Sequence, residues 1–248
     1  MNYQTTLFFI PLFFLLIRIT LSIDPKFLAC HPKTCGNNQN ISYPFYIIGK
    51  QEQYCGNPGF ELTCYDNGFP ILNLIDTQYI VQEIFYNNHT LRVTNPVFSQ
   101  LTTPDQCVAP TQSLNVGKYR FKVGSNQRDM TLFYGCDLTK VPEGLRENRV
   151  GCDSENRTSS VVAAFDREDA SSLRLACKMD RVVNVTVEDE KGGIREALRK
   201  GFVLNWNATN CSACTRSGGK CGFDWNSDTY AFRCYCPDRV HSADCDPG

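Results

Sequence analysis

The fold is decided near the carboxyl end of the chain by the stretch CSACTRSGGKCGFDWNSDTYAFRCYCPDRVHSADC, residues 211–245. Its six cysteines follow the spacing C-x2-C-x6-C-x12-C-x-C-x8-C. Two cysteine pairs also occur in zinc ribbons, and Cys211-Ser-Ala-Cys214 has the spacing of a redox motif. The chain shows no thioredoxin-like strand and helix pattern, however, and its cysteines are even in number. The spacing therefore favours structural disulfides over metal binding or redox chemistry.

The second half of this stretch resembles the end of an EGF-like module. Cys234 and Cys236 are separated by one residue, and Cys245 follows after eight more. Calcium-binding versions carry acidic or amide ligands just before their first cysteine, but residues 205–208, Asn-Trp-Asn-Ala, include no carboxylate. We expect no calcium site here, and no metal or cofactor elsewhere.

The cysteines outside this stretch predict how the segments of the chain are joined. Five precede residue 110, three lie between residues 136 and 177, and six lie in residues 211–245. If the last six pair among themselves, at least one disulfide joins the first segment to the second, most simply through Cys136. An even number in an oxidising compartment predicts seven disulfides. The cysteines are Cys30, Cys35, Cys55, Cys64, Cys107, Cys136, Cys152, Cys177, Cys211, Cys214, Cys221, Cys234, Cys236 and Cys245.

The amino end predicts secretion. Residues 7–19 are apolar apart from Arg18, and the small residues Thr20 and Ser22 follow them. This pattern predicts a signal peptide over residues 1–22. The alternative is an uncleaved anchor, although the stretch is shorter than the roughly 20 apolar residues of a spanning helix. We expect a secreted protein of the extracellular space or cell wall, anchored to a membrane only if the native gene continues into a transmembrane span.

The glycosylation sequons support secretion, and the net charge argues against nucleic acid as a partner. Six Asn-x-Ser/Thr sequons predict N-glycosylation, which agrees with secretion. A net charge of −1 with interspersed acids and bases gives no whole-chain attraction to nucleic acid. The acceptor asparagines are Asn40, Asn88, Asn156, Asn184, Asn207 and Asn210.

Hydrophobic patterning predicts a mainly β fold of small disulfide-rich modules with one short helix. The helix is expected at residues 194–200, with Gly201 after its last turn, and a strand then alternates through Phe202, Leu204 and Trp206. A linker is expected at residues 96–115, between a module at residues 24–110 and a second at residues 111–248. The other expected strands are residues 41–48, 60–65, 71–75, 78–86, 90–94, 118–123, 130–134, 161–165, 173–177 and 182–187.

The sequence contains none of the common catalytic motifs. The sequence has no G-x-S-x-G elbow, no H-E-x-x-H, no phosphate-binding loop and no kinase motif. Its three histidines, His31, His89 and His241, are scattered over expected loops. We therefore expect that this polypeptide is not an enzyme.

Two sets of motifs carry a resemblance to a known family. The first spans residues 30 to about 107 and resembles the galacturonan-binding module of plant wall-associated receptor kinases. The second resembles the C-terminal module of the same receptors, particularly the leaf-rust-type receptor-like kinases. The first set is Cys30, Cys35-Gly36-Asn37, Ile41-Ser42-Tyr43-Pro44-Phe45, Cys55-Gly56-Asn57-Pro58-Gly59-Phe60, Leu62-Thr63-Cys64 and Tyr86-Asn87-Asn88. The second set is Gly201-Phe202-Val203-Leu204-Asn205-Trp206, Cys211-x-x-Cys214, Ser217-Gly218-Gly219-x-Cys221-Gly222 and Phe232-x-Cys234-x-Cys236.

The resemblance implies an ectodomain of the plant cell wall that binds pectin, a polymer of galacturonic acid, usually ahead of a membrane span and a serine/threonine kinase. Because this sequence stops at Gly248, the kinase lies outside it, as in a kinase-less relative or a partial gene product. The leading hypothesis is therefore binding of an acidic cell-wall polysaccharide. The alternative is a protein-binding ectodomain or decoy that pairs with membrane receptor kinases and binds no sugar.

Candidate ligand contacts come from cations and aromatic rings. A strand over residues 118–123 would place Lys118, Arg120 and Lys122 on one face about 7 Å apart, with Tyr119 and Phe121 buried behind them. Such a row suits the carboxylates of a uronic-acid chain, although an ordinary solvated strand face would look the same. A second route is stacking of sugar rings on aromatic side chains in the resembling motif. The aromatic candidates are Tyr43, Phe45 and Tyr46, of which alternation places Tyr43 and Phe45 on one face.

Overall fold

The computed structural model describes residues 23–65, 68–75, 77–117, 119–188, 192–225 and 230–245. The expected signal peptide, residues 1–22, and the candidate Lys118 lie outside the described residues. In the part that is described, none of the helices combines the length and the apolar character needed to span a membrane.

Short strands dominate the described chain, so the expected mainly β, disulfide-rich fold is confirmed. The helices are α1 (Pro25–Ala29), α2 (Glu143–Arg146), α3 (Arg167–Leu173), α4 (Ile194–Lys200) and α5 (Ser212–Arg216). The strands are β1 (Tyr46–Ile47), β2 (Glu61–Cys64), β3 (Pro70–Leu74), β4 (Thr77–Phe85), β5 (Thr90–Thr94), β6 (Cys107–Val108), β7 (Phe121–Val123), β8 (Gln127–Cys136), β9 (Arg149–Asp153), β10 (Ser160–Ala164), β11 (Lys178–Glu188), β12 (Phe202–Trp206), β13 (Lys220–Asp224), β14 (Ala231–Tyr235) and β15 (Val240–His241).

The first sheet joins distant parts of the chain. Its strand order is β1-β2-β3-β4-β5-β12-β7, so β12 lies between β5 and β7 and is antiparallel to both. Helix α4 ends at Lys200, and the next residue, Gly201, has a φ of +69° that favours glycine; a Cβ there would overlap the carbonyl oxygen of Val93. This close approach delivers Phe202, Leu204 and Trp206 into the core of the first sheet. The expected second module therefore supplies two strands to the first.

The second sheet has the order β11-β8-β10-β9-β6. Its core includes Phe98 and Leu101, so the segment expected as a linker is partly buried. Asp153 is fully buried there, and the Arg181 guanidinium donates to both of its carboxylate oxygens at 2.9 and 3.0 Å. Each of the two charges depends on the other, because removal of one would leave its partner charged and unpaired in the protein interior, where it is poorly solvated.

The third sheet, β13-β14-β15, is small and crosslinked. Four buried cysteines form one core cluster there, and the buried large side chains of the sheet are Phe223 and Tyr235. Helix α1 lies against this end of the molecule, because the Asp24 amide donates to the Pro237 carbonyl at 2.9 Å and Lys26 Nζ lies 5.8 Å from the Tyr235 ring centre. Disulfides thus replace the apolar burial that so short a segment cannot supply.

All fourteen cysteines pair, which confirms the seven disulfides and the self-contained pairing of the last six. The expected link between the first and second segments also exists, but the choice of Cys136 for it is wrong. Strand β6 runs parallel to β9 and places Cys107 opposite Cys152, so these two are joined. The disulfides are Cys30–Cys55, Cys35–Cys64, Cys107–Cys152, Cys136–Cys177, Cys211–Cys221, Cys214–Cys234 and Cys236–Cys245.

Most expected elements are found, with three corrections. The strand expected at residues 173–177 is wrong, because Leu173 ends α3, whose amino end is capped by the Asp166 carboxylate. The strand expected at residues 41–48 shrinks to Tyr46–Ile47, since Pro44 lacks the amide proton that a strand ladder uses. Four short helices accompany the expected one, α4, in the described residues.

We predict that residues 24–110 do not fold alone. Without β7 and β12 the first sheet ends at β5, and Leu91 and Val93 lose their cover. Expressed through a secretory host, this fragment should show no cooperative thermal transition by near-ultraviolet circular dichroism, whereas the full chain should. A sigmoidal transition in the fragment would contradict the shared sheet.

We also predict that the protein loses stability as the pH rises from 10 to 12. Burial raises the pKa of Tyr46, with a smaller contribution from Glu61, and that of Tyr79, each to about 12. The unfolded chain ionises its tyrosines near pH 10, so above that pH it releases protons that the folded chain still holds. The contribution of Tyr46 and Tyr79 to the free energy of unfolding is therefore complete below pH 10 and is lost as the pH rises past 12. The melting temperature should fall from pH 9 to 10 to 11, and it should fall less steeply in the Tyr79→Phe variant. If the melting temperature of that variant depends on pH as steeply as that of the parent, Tyr79 does not contribute to the effect.

Candidate functional site

A groove of about 850 Å³ lies where the first and third sheets meet, and we call it the junction groove. One wall is the corner at residues 42–44 with the hairpin tip between β4 and β5, and the other is residues 206–212 with α5 and the start of β13. The described residues that line it are Cys30, Pro32, Ser42, Tyr43, Pro44, Tyr86, Asn87, His89, Trp206, Asn207, Ala208, Thr209, Asn210, Cys211, Ser212, Thr215, Arg216, Gly219, Lys220 and Cys221.

Two tyrosines hold the walls in place. The Tyr86 hydroxyl accepts the Ser42 amide proton at 2.9 Å, which fixes the corner on the hairpin. The Tyr43 hydroxyl crosses the groove and donates to the Thr209 carbonyl at 2.9 Å. Burial raises the pKa of both tyrosines, so both hydroxyls stay protonated. Tyr43 also packs edge-on against Phe232 of the third sheet at 6.2 Å between ring centres. The width of the groove is therefore set by fixed contacts.

Aromatic rings form its floor. The Trp206 ring is buried and packs edge-on against Phe45 at 5.7 Å. The His89 ring lies over it at 4.4 Å with an interplanar angle of 31°, and the His89 carbonyl accepts the Trp206 amide proton at 2.9 Å. Within the described residues, Trp206 Nε1 has no hydrogen-bond partner. Of these rings only that of His89 is exposed, and it offers a flat aromatic face on which a sugar ring can stack.

The charge of the junction groove is positive. Arg216 and Lys220 line it, and none of its described lining residues is Asp or Glu. Arg216 donates from Nε to the Ser212 carbonyl at 3.2 Å, and Lys220 Nζ lies 5.9 Å from the Phe27 ring centre. Neither cation forms an ion pair with a carboxylate in the described part of the chain. Both remain available to an anionic ligand.

The basic row expected over residues 118–123 does not form as one strand face. The strand begins only at Phe121, which is buried as expected. Tyr119 was expected to be buried with it, and this is wrong, because Tyr119 precedes the strand and is 84% exposed. Arg120 also precedes the strand and packs over Gly59, while Lys122 is exposed opposite Asn205. Neither Arg120 nor Lys122 lines the junction groove.

The three aromatic candidates separate in the structure. Tyr43 lines the junction groove and is partly exposed. Phe45 is fully buried in the first core, and Tyr46 is 6% exposed beside Trp225, so neither presents a ring face to solvent. Simple strand alternation failed here because the chain turns at Tyr43 and Pro44.

Sequence analysis did not single out Arg216, Lys220, His89 or Trp206 as ligand contacts. The only signal available was that Trp206 and the segment from Cys211 to Cys221 belong to the second resembling motif. Nothing local in that motif indicates that it faces the corner at residues 42–44.

Comparison with protein families places both walls of the junction groove in known modules. A model described as wall-associated receptor kinase galacturonan-binding matches residues 30–95, and one described as wall-associated receptor kinase C-terminal matches residues 148–239. Tyr43 and His89 lie in the first match, and Trp206, Arg216 and Lys220 in the second. The groove is therefore built where the two matched modules meet.

Curated relatives cover nearly the whole chain. Leaf rust 10 disease-resistance locus receptor-like protein kinase-like 1.2 of Arabidopsis thaliana is 36% identical over 94% of this chain and 36% of its own length. The protein named kinase-like 2.1 in the same series and species is 24% identical over 94% of the chain and 37% of its length. RING-H2 finger protein ATL22 of A. thaliana is 21% identical over 83% of the chain and 53% of its length.

The chain spans about a third of the length of the kinase relatives. No solved structure matches it. Two module matches in order, together with 36% identity across nearly all of the chain, agree with the resemblance seen in the motifs. This chain is an ectodomain of the wall-associated receptor kinase type.

Proposed function

We propose that this chain is a non-enzymatic extracellular protein of the cell wall that binds an acidic polysaccharide of the galacturonan, or pectin, class in the junction groove. One observation carries the proposal: two cations without carboxylate partners line a groove at which the two matched modules meet, and none of the described lining residues is acidic. The matched galacturonan-binding family supports the choice of ligand class.

The chemistry of the groove suits a uronate chain. Arg216 can pair with a carboxylate through two parallel hydrogen bonds, and Lys220 offers a compact charge. Tyr43 and His89 offer ring surface for the C–H faces of a sugar. The local charge also resolves a difficulty, since the bases between Cys30 and Cys107, which are Lys33, Lys50 and Arg92, are outnumbered by the acids of the same stretch. Those acids are Glu52, Glu61, Asp66, Asp76, Glu83 and Asp105. The cations of the groove come from the second module instead.

The relatives support a role in recognition that is separate from any one intracellular activity. Of the three relatives named above, two are named as receptor-like kinases and one as a RING-H2 finger protein, yet all three share this region. A ligand-sensing module is expected to occur in proteins whose other regions carry different activities. We propose that membrane receptor kinases are possible partners of this chain.

Protein binding without sugar is the second candidate. It is favoured by two exposed apolar side chains near the start of β11, an edge strand of the second sheet: Leu175, in the turn before the strand, is 92% exposed, and Met179, within the strand, is 47% exposed. Apolar side chains on a sheet edge are suited to protein contact. Retention of a protein partner together with failure to bind any oligogalacturonide would favour this candidate.

We predict that the double variant Arg216→Gln and Lys220→Gln binds oligogalacturonides about three- to thirtyfold more weakly than the parent in dilute buffer. Exposed ion pairs contribute about 0–1 kcal/mol each, so two of them account for a loss of this size. Calorimetry with de-esterified fragments measures the loss, and added salt should weaken binding by the parent more than by the variant.

The matched control is Arg120→Gln with Lys122→Gln, which removes the same charge outside the junction groove. It should change the affinity less than twofold. The opposite outcome, with the control weakened and the groove variant unchanged, would move the site to the segment that also contains Lys118. Methyl-esterified fragments should bind poorly to every form, because they lack the charge.

We also predict that Tyr43→Phe lowers the free energy of unfolding by about 1 kcal/mol, because it removes the hydrogen bond to Thr209 across the groove. Oligogalacturonide affinity should fall while its salt dependence stays the same. Chemical denaturation measures the first effect. Tyr119→Phe is the control, since that side chain is 84% exposed; an equal loss in both variants would argue against a role for the Tyr43 hydroxyl.

A further inference from the structure

Two of the six sequons lie in one wall of the junction groove. Residues 206–212 line the groove without interruption, and they contain Asn207-Ala208-Thr209 and Asn210-Cys211-Ser212. Both acceptor asparagines are exposed. A glycan on either would therefore begin at the site proposed for an external sugar.

The two asparagines differ in how free their side chains are. Asn210 Oδ1 accepts the Ser212 amide proton at 2.8 Å at the start of α5, and its neighbour Cys211 is held in a disulfide with Cys221. The Asn207 side chain makes no hydrogen bond to any described residue. A glycan on Asn207 Nδ2 would therefore disturb no hydrogen bond of that side chain, whereas the Asn210 side chain is held at the start of α5 through its Oδ1.

The backbone at Asn207 is held firmly, so a glycan there starts from a fixed point. The Asn207 amide donates to the Arg120 carbonyl at 2.9 Å. The residue before it is bonded to His89, and Thr209 is bonded to Tyr43 across the groove. A glycan on Asn207 therefore begins at a fixed point of the groove wall, next to Trp206.

From this geometry we propose that N-glycosylation of Asn207 covers the junction groove, so that the form of the protein lacking this glycan is the one that binds acidic polysaccharide. The claim that the uncovered groove binds acidic polysaccharide rests on the proposed function. The claim that the glycan covers the groove does not. In the modification a bond forms between Asn207 Nδ2 and the anomeric carbon of a lipid-diphosphate-linked oligosaccharide. The bond from that carbon to the carrier breaks, the carrier leaves with the electron pair, and the amide gives up one proton.

The test uses the full chain from a glycosylating secretory host, with glycopeptide mass spectrometry to establish the occupancy of Asn207. Asn207→Gln and Thr209→Ala each abolish the sequon, and Thr209→Ala keeps both the asparagine and the backbone carbonyl that Tyr43 uses. Asn156→Gln is the matched control, because that sequon lies in the turn between β9 and β10, outside the groove.

The first readout needs no ligand. Diethyl pyrocarbonate labels exposed histidines, and labelling of His89 should be at least threefold faster in both sequon variants than in the glycosylated parent. His31 and His241 serve as internal standards. The second readout is affinity for de-esterified oligogalacturonide, which should rise at least fivefold in both variants and after enzymatic deglycosylation of the parent, but not in Asn156→Gln.

An Asn207 found unoccupied, or an occupied Asn207 with unchanged His89 labelling and affinity, would overturn the proposal. If His89 labelling rises while no form binds oligogalacturonide, the glycan cover stands and the proposed polysaccharide function fails.

Discussion

The structure depends on the insertion of β12 between β5 and β7. This strand supplies Phe202, Leu204 and Trp206 to a core that otherwise belongs to the first half of the chain. Its entry requires a glycine at position 201, where the backbone passes too close to Val93 for any side chain. The amino-terminal and carboxyl-terminal modules therefore share one sheet, although two family models describe them separately.

The position of β12 also creates the groove. Once Trp206 is fixed, the next residues lie beside the corner at Ser42 to Pro44, and Tyr43 bonds to Thr209. The third sheet follows directly and contributes Arg216 and Lys220. Both cations of the groove thus come from the second half of the chain, whereas its aromatic rings come from both halves.

Local patterns allowed much of the fold to be predicted, and long-range pairing accounts for the rest. Helix α4 and strand β12 follow from apolar spacing and from Gly201, and cysteine parity required one disulfide between the first two segments. Parity could not choose Cys107 over Cys136, because the choice depends on β6 lying parallel to β9. For the site, Tyr43 was named among the candidates, whereas Arg216 and Lys220 were missed. Their spacing in sequence carries no information about the module they face.

The order of strands in the first sheet has a consequence for biosynthesis. A ribosome completes β5 at Thr94 but reaches β12 only at Phe202, and at typical elongation rates this interval lasts on the order of ten seconds. Throughout it the edge of β5 is unpaired in the nascent chain. Cys30, Cys35, Cys55 and Cys64 have all been synthesised by then, and they pair only with one another. Oxidation can therefore proceed before the sheet is complete, and the interval between β5 and β12 is when the nascent chain most needs a chaperone to shield that edge.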